Sequence, residues 1–201
     1  MGRAFPVSWT CLRWSRNPAM SRSASTSRPR SLHWNLAWPD PETFATTLVD
    51  LIRQEGMTPR VTIQSFDWRT LQVVQRIAPE LPTVYLSVQQ RSFDNIGADK
   101  SAGSPWTAGV QYKDHGSVAK MVKAAGGAIW SPFVGDLTEF KLKEAHALGI
   151  RVVVWTVNEA TQIGKQLDLG VDGIISDRPD VVRQVLGKRG LALPPATPVT
   201  P

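Results

Sequence analysis

Histidine can take up and release a proton near neutral pH, and this chain of 201 residues has three histidines. His115 follows Asp114 at the start of a predicted helix, where the carboxylate could orient the imidazole for general-base catalysis. No second base or metal ligand accompanies the pair in sequence, so we favour a capping or loop role. His146 lies between two alanines of a predicted helix and is expected at or near the surface. His33 lies in an irregular segment, where we expect it to be solvated.

Three polar side chains, Thr156, Asn158 and Asp177, stand where predicted buried strands end. In parallel α/β folds, ligands bind at these carboxyl ends. Helix capping explains Asn158 and Asp177 without any ligand, because a short polar side chain can accept from the free N–H groups of a first helical turn. We therefore expect both residues to be caps.

The elements that would position these residues are clearest between residues 150 and 179. Residues 151–157 (RVVVWTV) are a nearly continuous β-branched and aromatic run, typical of a strand buried on both faces. A helix follows, which Gly170 is placed to end in the left-handed conformation. Residues 171–176 (VDGIIS) predict a second buried strand, after which Asp177 would cap another helix. This order predicts a parallel βα unit.

The same alternation begins abruptly at Asp40, which is placed to cap a first helix that has Pro at its next position. Further predicted strands lie at residues 61–66, 83–88 and 128–133. A capping box at residues 136–139 (DLTE) predicts the start of a helix. Residues 89–116 form a long polar connection, a length typical of functional loops or disorder. Together with the two strands above, the sequence predicts five parallel strands.

Several of these segments resemble one enzyme family. Residues 154–158 (VWTVN) and 170–179 (GVDGIISDRP) resemble the last two βα units of the glycerophosphodiester phosphodiesterase family, and residues 61–67 (VTIQSFD) resemble its fourth strand. The resemblance is collinear and runs from about Asp40 to Leu186. It implies an α/β fold of the TIM type, a βα barrel of eight parallel strands, of which this chain would supply about five units.

The resemblance also implies a reaction, the hydrolysis of a glycerophosphodiester to glycerol 3-phosphate and an alcohol. In that family a divalent metal ion (Ca or Mg) polarises the phosphate while a pair of histidines handles the protons. The family takes these groups from a His-Arg-Gly motif on strand one, a Glu-x-Asp motif with a following His near strand two, and a Glu-x-Lys motif on strand three. None is found at the corresponding place in this chain.

The departures from the family pattern are specific. Arg-Gly occurs only at Arg189 and Gly190, after the last predicted helix, and Glu-x-Asp does not occur. Glu139 and Lys141 have the Glu-x-Lys spacing but lie in the first turn of a predicted helix. Residues 32–37 (LHWNLA), where strand three would lie, have Asn and Ala in place of the carboxylate and the Lys. The sequence therefore predicts no catalytic residue and no metal ligand in this chain.

Two residues keep positions that the resemblance places near the substrate. Gln64 could hydrogen-bond a phosphate or a glycerol hydroxyl, and Trp155 could form an apolar wall. Packing in the barrel layers and polar satisfaction at strand ends would explain both residues equally well. Gln64 and Trp155 are thus the substrate-binding candidates, with a small-molecule glycerophosphodiester as the expected ligand.

The net charge belongs to the first part of the chain. Residues 1–39 have six Arg, no Lys and no acidic residue, so residues 40–201 balance 17 basic against 17 acidic side chains and the net charge of +6 lies in the first segment. A nucleic-acid-binding domain would carry its basic charge on the folded part, so no nucleic-acid partner is predicted. No apolar run approaches the ~20 residues of a membrane span. Cys11 is the sole cysteine, which excludes a disulfide within the chain.

These patterns divide the chain into three parts. Residues 1–39, rich in Ser, Arg, Trp and Pro, are expected outside the fold, as a transit peptide or as residues translated out of frame. Residues 40–187 are expected to form the partial barrel, and residues 188–201 a Pro-rich disordered tail. A five-stranded part of a barrel would expose two strand edges and an apolar inner face to water, which predicts self-association.

Three functions are compatible with the sequence. By resemblance the chain is a glycerophosphodiester phosphodiesterase, a phosphoric diester hydrolase of lipid and glycerol metabolism, although without the catalytic motifs we expect it to be inactive by itself. The alternatives are a non-catalytic truncated barrel fragment and a module that binds phosphate esters without turnover. The N-terminus lacks the continuous apolar stretch of a secretory signal, and both a bacterial cytoplasm and a periplasm stay open.

Overall fold

The computed structural model describes residues 40–193. Residues 1–39, with His33 and Cys11, lie outside the described residues, as does most of the tail. The strands are β1 (Ile63–Ser65), β2 (Thr83–Ser87), β3 (Gln89–Gln90), β4 (Phe93–Asp94), β5 (Ile129–Pro132), β6 (Arg151–Val154) and β7 (Gly173–Ile174). The α-helices are α1 (Pro41–Gln54), α2 (Trp68–Ile77), α3 (Tyr112–His115), α4 (Val118–Ala124), α5 (Glu139–Ala147), α6 (Ala160–Leu169) and α7 (Pro179–Lys188).

The main sheet has five strands, all parallel, in the order β1-β2-β5-β6-β7. The five predicted parallel strands are therefore confirmed. Each strand lies beside the next strand of this sheet along the chain, which is the order of a βα barrel. The assigned strands are shorter than the predicted ones. Strand β7 comprises only residues 173–174. The pairing with β6 nevertheless continues on both sides, because the Asp172 N–H donates to the Val152 carbonyl and the Ile175 N–H to the Val154 carbonyl, each at 2.8 Å.

The two faces of this sheet pack differently. Tyr85 and Trp130 point toward the helices and belong to the main hydrophobic core. Alternate residues point to the opposite face, where Val84, Ile129 and Val153 form a separate apolar cluster. These three side chains are only 1–2% exposed. The expectation that the inner face meets water is thus wrong for these residues, because they pack against one another.

The predicted cap at Asp40 and the predicted helix end at Gly170 are confirmed. The Asp40 carboxylate accepts from backbone N–H groups of the first turn of α1, and Asp67 does the same for α2. The Ser117 hydroxyl caps α4, and Gly170 ends α6 with a φ of 92°. Each cap supplies partners that the backbone groups at a helix end would otherwise lack.

The predicted cap of α5 is wrong. Thr138, not Asp136, is the N-cap, and its hydroxyl accepts from the backbone N–H of Lys141 at 3.3 Å. Asp136 lies in a preceding 3-10 turn, where its carboxylate binds elsewhere. The helix consequently starts two residues later than an Asp136 cap would place it.

The long connection after β2 is ordered in the structure. It contains the antiparallel hairpin of β3 and β4 and the short helix α3. The hairpin starts one residue after β2 ends, so it extends from the carboxyl end of a central strand of the sheet. Among residues 40–193, no helix is long and apolar enough to cross a bilayer.

Candidate functional site

Gln64 and Trp155 lie on different strands of the main sheet. Gln64 is in β1, paired in register with Val84 of β2, and Trp155 directly follows β6. Trp155 continues the parallel pairing through a bridge to Phe133, in which the N–H of Val134 donates to the Trp155 carbonyl at 2.7 Å. The Trp155–Thr156 peptide bond is cis.

Trp155 belongs to a run of four aromatic side chains at the carboxyl ends of the strands. Its ring centroid lies 5.4 Å from that of Phe133 and 5.3 Å from that of Phe66, both edge to face. The Phe66 ring in turn lies 5.5 Å from Phe93 of β4, also edge to face. We call Phe66, Phe93, Phe133 and Trp155 the aromatic wall. Such contacts are favourable beyond the area that they bury, so the wall is a packed unit.

The two candidate residues relate differently to the aromatic wall. Trp155 is a member of it, and Gln64 lies two residues before Phe66, which is at the bend that follows β1. Gln64 and Trp155 are both half-buried. Trp155 thus lies at the carboxyl end of the sheet, the end at which ligands bind in βα barrels. Contact of Gln64 and Trp155 with a substrate stays a prediction.

Asn158 and Asp177 bind each other instead of capping helices. The Asn158 side-chain oxygen accepts from the Asp177 backbone N–H at 2.9 Å and from the Ser176 hydroxyl at 3.1 Å, and its Nδ2 donates to the Asp177 carboxylate at 3.2 Å. The N-caps of α6 and α7 are Glu159 and Arg178, and neither side chain makes a capping bond. The capping expectation is wrong for both residues, because the amide joins the ends of β6 and β7.

The two histidines among residues 40–193 lie in helices. His115 is the last residue of α3, and no hydrogen bond joins its side chain to Asp114 within residues 40–193. Orientation of His115 by Asp114, the alternative to the favoured loop or capping role, is therefore not seen. His146 is exposed, as expected, and its Nε2 lies 2.8 Å from a carboxylate oxygen of Asp172, beside the amino end of β6.

The described residues do not fit the divalent ion that the family resemblance implies. Within residues 40–193 no three His, Cys, Asp or Glu side chains gather as a metal site would require. Both carboxylate oxygens of Asp136 accept from β3, and Asp67 is held by Arg69 with bonds of 2.7 and 2.9 Å. The hydrogen bond to Asp67 raises the pKa of Arg69. We derive no chemical step through a metal ion.

Comparison with known proteins assigns the fold and the family. Residues 42–181 match the model of the glycerophosphoryl diester phosphodiesterase family. The chain belongs to this family. A candidate glycerophosphodiester phosphodiesterase 2 of Mycobacterium tuberculosis (strain ATCC 25618 / H37Rv) is 44% identical over 54 residues, which are 27% of this chain and 20% of the relative.

Solved structures of related proteins share the fold. A candidate glycerophosphoryl diester phosphodiesterase of Silicibacter pomeroyi DSS-3 is 33% identical with a TM-score of 0.62, over 76% of this chain and 46% of the other. A phosphodiesterase of Oleispira antarctica, solved with the product sn-glycerol-3-phosphate, is 16% identical with a TM-score of 0.52, over 73% of this chain and 50% of the other. The chain thus spans half or less of the length of these relatives.

The hairpin of β3 and β4, and the residues that hold it in place, were not predicted from the sequence. Asn95, which is fully buried, and Phe93, which completes the aromatic wall, both lie in the segment interpreted as a polar connection. The available signal was an apolar Phe93 and Ile96 around Asp94-Asn95, a pair typical of a turn between ordered segments. One partner of the Asn95 amide, the Phe66 carbonyl, lies 29 residues away, so its role in joining the ends of β1 and β2 could not be inferred locally.

Proposed function

We propose that this chain forms the wall of a glycerophosphodiester phosphodiesterase pocket at the carboxyl ends of the strands. It binds the phosphate ester but does not hydrolyse it by itself. Membership of the family supports the ligand class. The observation that carries the proposal is the edge-to-face contact of Trp155 with Phe66, which joins the carboxyl ends of β1 and β6, where βα barrels bind substrates. Gln64 lies two residues before Phe66. Gln64 donates to or accepts from the ester, and Trp155 packs against its carbon skeleton.

Absence of hydrolysis follows from the groups available. Phosphodiester hydrolysis needs a barrier reduction of many kcal/mol, which the family obtains from a metal ion and paired histidines. In residues 40–193 no cluster of ligands could hold the ion, and His146 lies beside the amino end of β6, opposite the end that carries Trp155. Loss of a single member of such a unit already lowers the rate by orders of magnitude.

Hydrolysis is tested with the purified chain and glycerophosphocholine, with Mg²⁺ and with Ca²⁺ in separate assays. We expect no release of glycerol 3-phosphate above the rate of a buffer blank. Release that a chelator abolishes would contradict this prediction, and Asp94, Asp99, Asp114 and Asp136 would then be examined as ligands by substitution with Asn.

Binding is tested by calorimetric titration with sn-glycerol 3-phosphate, the product that the Oleispira antarctica relative holds. We expect binding that Gln64→Ala weakens about tenfold, the cost of a lost hydrogen bond to a charged group. Gln54→Ala is the matched control, because Gln54 is exposed at the far end of α1. Absence of binding by the unaltered chain would favour the alternative, a truncated barrel fragment without a ligand.

A further inference from the structure

The hairpin of β3 and β4 contributes to the candidate site. Val88 alone separates it from the end of β2, and Phe93 of β4 is the outermost ring of the aromatic wall. The Phe93 side chain is 43% exposed, one of few large apolar side chains that are exposed among the described residues. The hairpin therefore extends the wall beyond the strand ends into solvent, where a ligand can reach it.

Asp136 holds the first strand of this hairpin in place. One of its carboxylate oxygens accepts from the backbone N–H of Gln89 at 2.8 Å, and the other accepts from the side-chain amide of Gln90. Lys141 donates to the Asp136 carbonyl at 2.8 Å and so fixes the turn that carries the carboxylate. Hydrogen bonds to an ionised acceptor are stronger than neutral ones.

Asn95 holds the second strand. It is fully buried, its Oδ1 accepts from the Val88 N–H at 2.9 Å, and its Nδ2 donates to the carbonyls of Phe66 and Leu86 at 3.2 and 3.1 Å. The same amide thus joins the ends of β1 and β2 to the base of the hairpin. Because Phe66 and Phe93 flank these bonds, Asn95 is a positioning residue for the aromatic wall.

The aromatic wall offers a ligand almost no polar partner. Three of its members are phenylalanines, and the indole N–H of Trp155 already donates to the Ser131 carbonyl at 2.9 Å. An organic group that lies against these rings gains by burying apolar surface, whereas a hydroxyl there loses water without a replacement.

We propose that the hairpin of β3 and β4 is a specificity element, which makes this site prefer phosphate esters with an apolar organic arm over esters with a hydroxyl-rich arm. Phe93 is the residue that distinguishes the apolar arm from the hydroxyl-rich arm, and Asn95 and Asp136 position Phe93. This inference rests on the proposed function, because it assumes that the ester lies against the aromatic wall.

The test compares two monoesters of equal charge, phenyl phosphate and sn-glycerol 3-phosphate, by calorimetric titration of the full chain. We expect phenyl phosphate to bind about tenfold tighter, as burial of part of one ring predicts. Phe93→Ala should abolish this difference. Phe140→Ala is the matched control, since Phe140 is 76% exposed and outside the wall, and it should keep the full difference.

Asn95→Asp tests the positioning role. It keeps the size of the side chain but removes both donated bonds, so we expect the preference for phenyl phosphate to fall severalfold. In chain labelled with 5-fluorotryptophan, the fluorine resonance of Trp155, assigned with Trp155→Phe, should shift. Leu142→Ala destabilises the core away from the hairpin. It should change neither the preference for phenyl phosphate nor the fluorine resonance of Trp155, and this result separates positioning from general destabilisation.

The outcomes are distinct for the two proposals. Equal affinity for both esters, or a preference that Phe93→Ala leaves intact, would overturn the specificity element alone. An unchanged fluorine resonance in Asn95→Asp would overturn the positioning role. Failure of both esters to bind would overturn the proposed function and the specificity element together.

Discussion

Tyr85 lies fully buried in β2, and its hydroxyl donates to the Ala125 carbonyl at 2.8 Å. Burial raises the pKa of Tyr85 to about 12, because the phenolate would lose its hydration. The folded chain therefore holds this proton more tightly than the unfolded chain, whose tyrosine pKa is about 10. The resulting stabilisation is complete below pH ~10 and is lost as the pH rises toward ~12.

We accordingly expect Tyr85→Phe to reduce the alkaline loss of stability between about pH 10 and 12, while costing about 1 kcal/mol at neutral pH through the lost hydrogen bond. Urea unfolding at a series of pH values measures both effects. Tyr112→Phe, at a half-buried position in α3, serves as the control. If the stability of Tyr85→Phe fell as steeply at alkaline pH as that of the unaltered chain, Tyr85 would not be the group responsible for the loss.

Thr138 is the cap that the structure assigns to α5, where the sequence favoured Asp136. Thr138→Ala should lower the free energy of unfolding by about 1 kcal/mol, because it leaves a first-turn N–H without its partner. Thr47→Ala, at an exposed position inside α1, should be neutral or slightly stabilising because alanine favours helix. Equal effects of the two substitutions in thermal unfolding would argue against the Thr138 cap.

At the scale of elements, β7 is short and is joined to β6 by side chains at both ends. At its amino end a carboxylate oxygen of Asp172 accepts from the Val152 N–H at 2.8 Å and lies 2.8 Å from His146. At the carboxyl end Asn158 binds Ser176 and Asp177. The backbone pairing with β6 spans only a few residues, so we infer that these side chains add to its stability.

Asp172→Asn should therefore loosen β7 more than its surface position suggests. We expect a cost of about 1–2 kcal/mol, as for a hydrogen bond to a charged acceptor, and faster hydrogen exchange at the amides of Val152 and Ile175. Asp180→Asn, which removes the exposed pair with Arg178, should leave exchange in β7 unchanged. Unchanged protection of β7 in Asp172→Asn would show that the backbone pairing suffices.

The elements that could be predicted from sequence are those specified locally. The run at residues 151–157 identifies β6 because β-branched side chains suit a strand buried on both faces, and Gly170 marks the end of α6 because it can adopt a positive φ. The roles of Asp136 and Asn158 could not be predicted in this way. Their partners come from neighbouring βα units, and those contacts exist only once the sheet has formed.

The candidate site was predictable to a similar extent. Gln64 and Trp155 could be named because residues 61–67 and 154–158 resemble a family that the comparison then confirmed. Phe93 could not, because the hairpin that carries it is held by Asn95, whose partners include Phe66, directly after β1, and Leu86 of β2. Residues 40–187 as a folding unit, and residues 1–39 outside it, stay predictions.

At the scale of the whole molecule, the described sheet ends in β1 on one side and β7 on the other. Strand edges with unpaired backbone groups promote association with other chains. On the helix layer next to β1, Phe44 and Leu51 of α1 are 40% and 53% exposed and lie on one side of the helix. We infer that this side of α1 and the edge of β1 together form an adhesive surface.

The chain should therefore sediment at low micromolar concentration as a dimer or larger species, not as a monomer of 22.1 kDa. Replacing Phe44 and Leu51 together by Glu should shift the distribution toward monomer, because each carboxylate would have to lose water in a packed contact. Phe140→Glu, at an exposed position on α5, should leave the distribution unchanged. A single monomeric species with cooperative thermal unfolding in the unaltered chain would contradict the prediction, since it would mean that both edges and the exposed side of α1 are covered within one molecule.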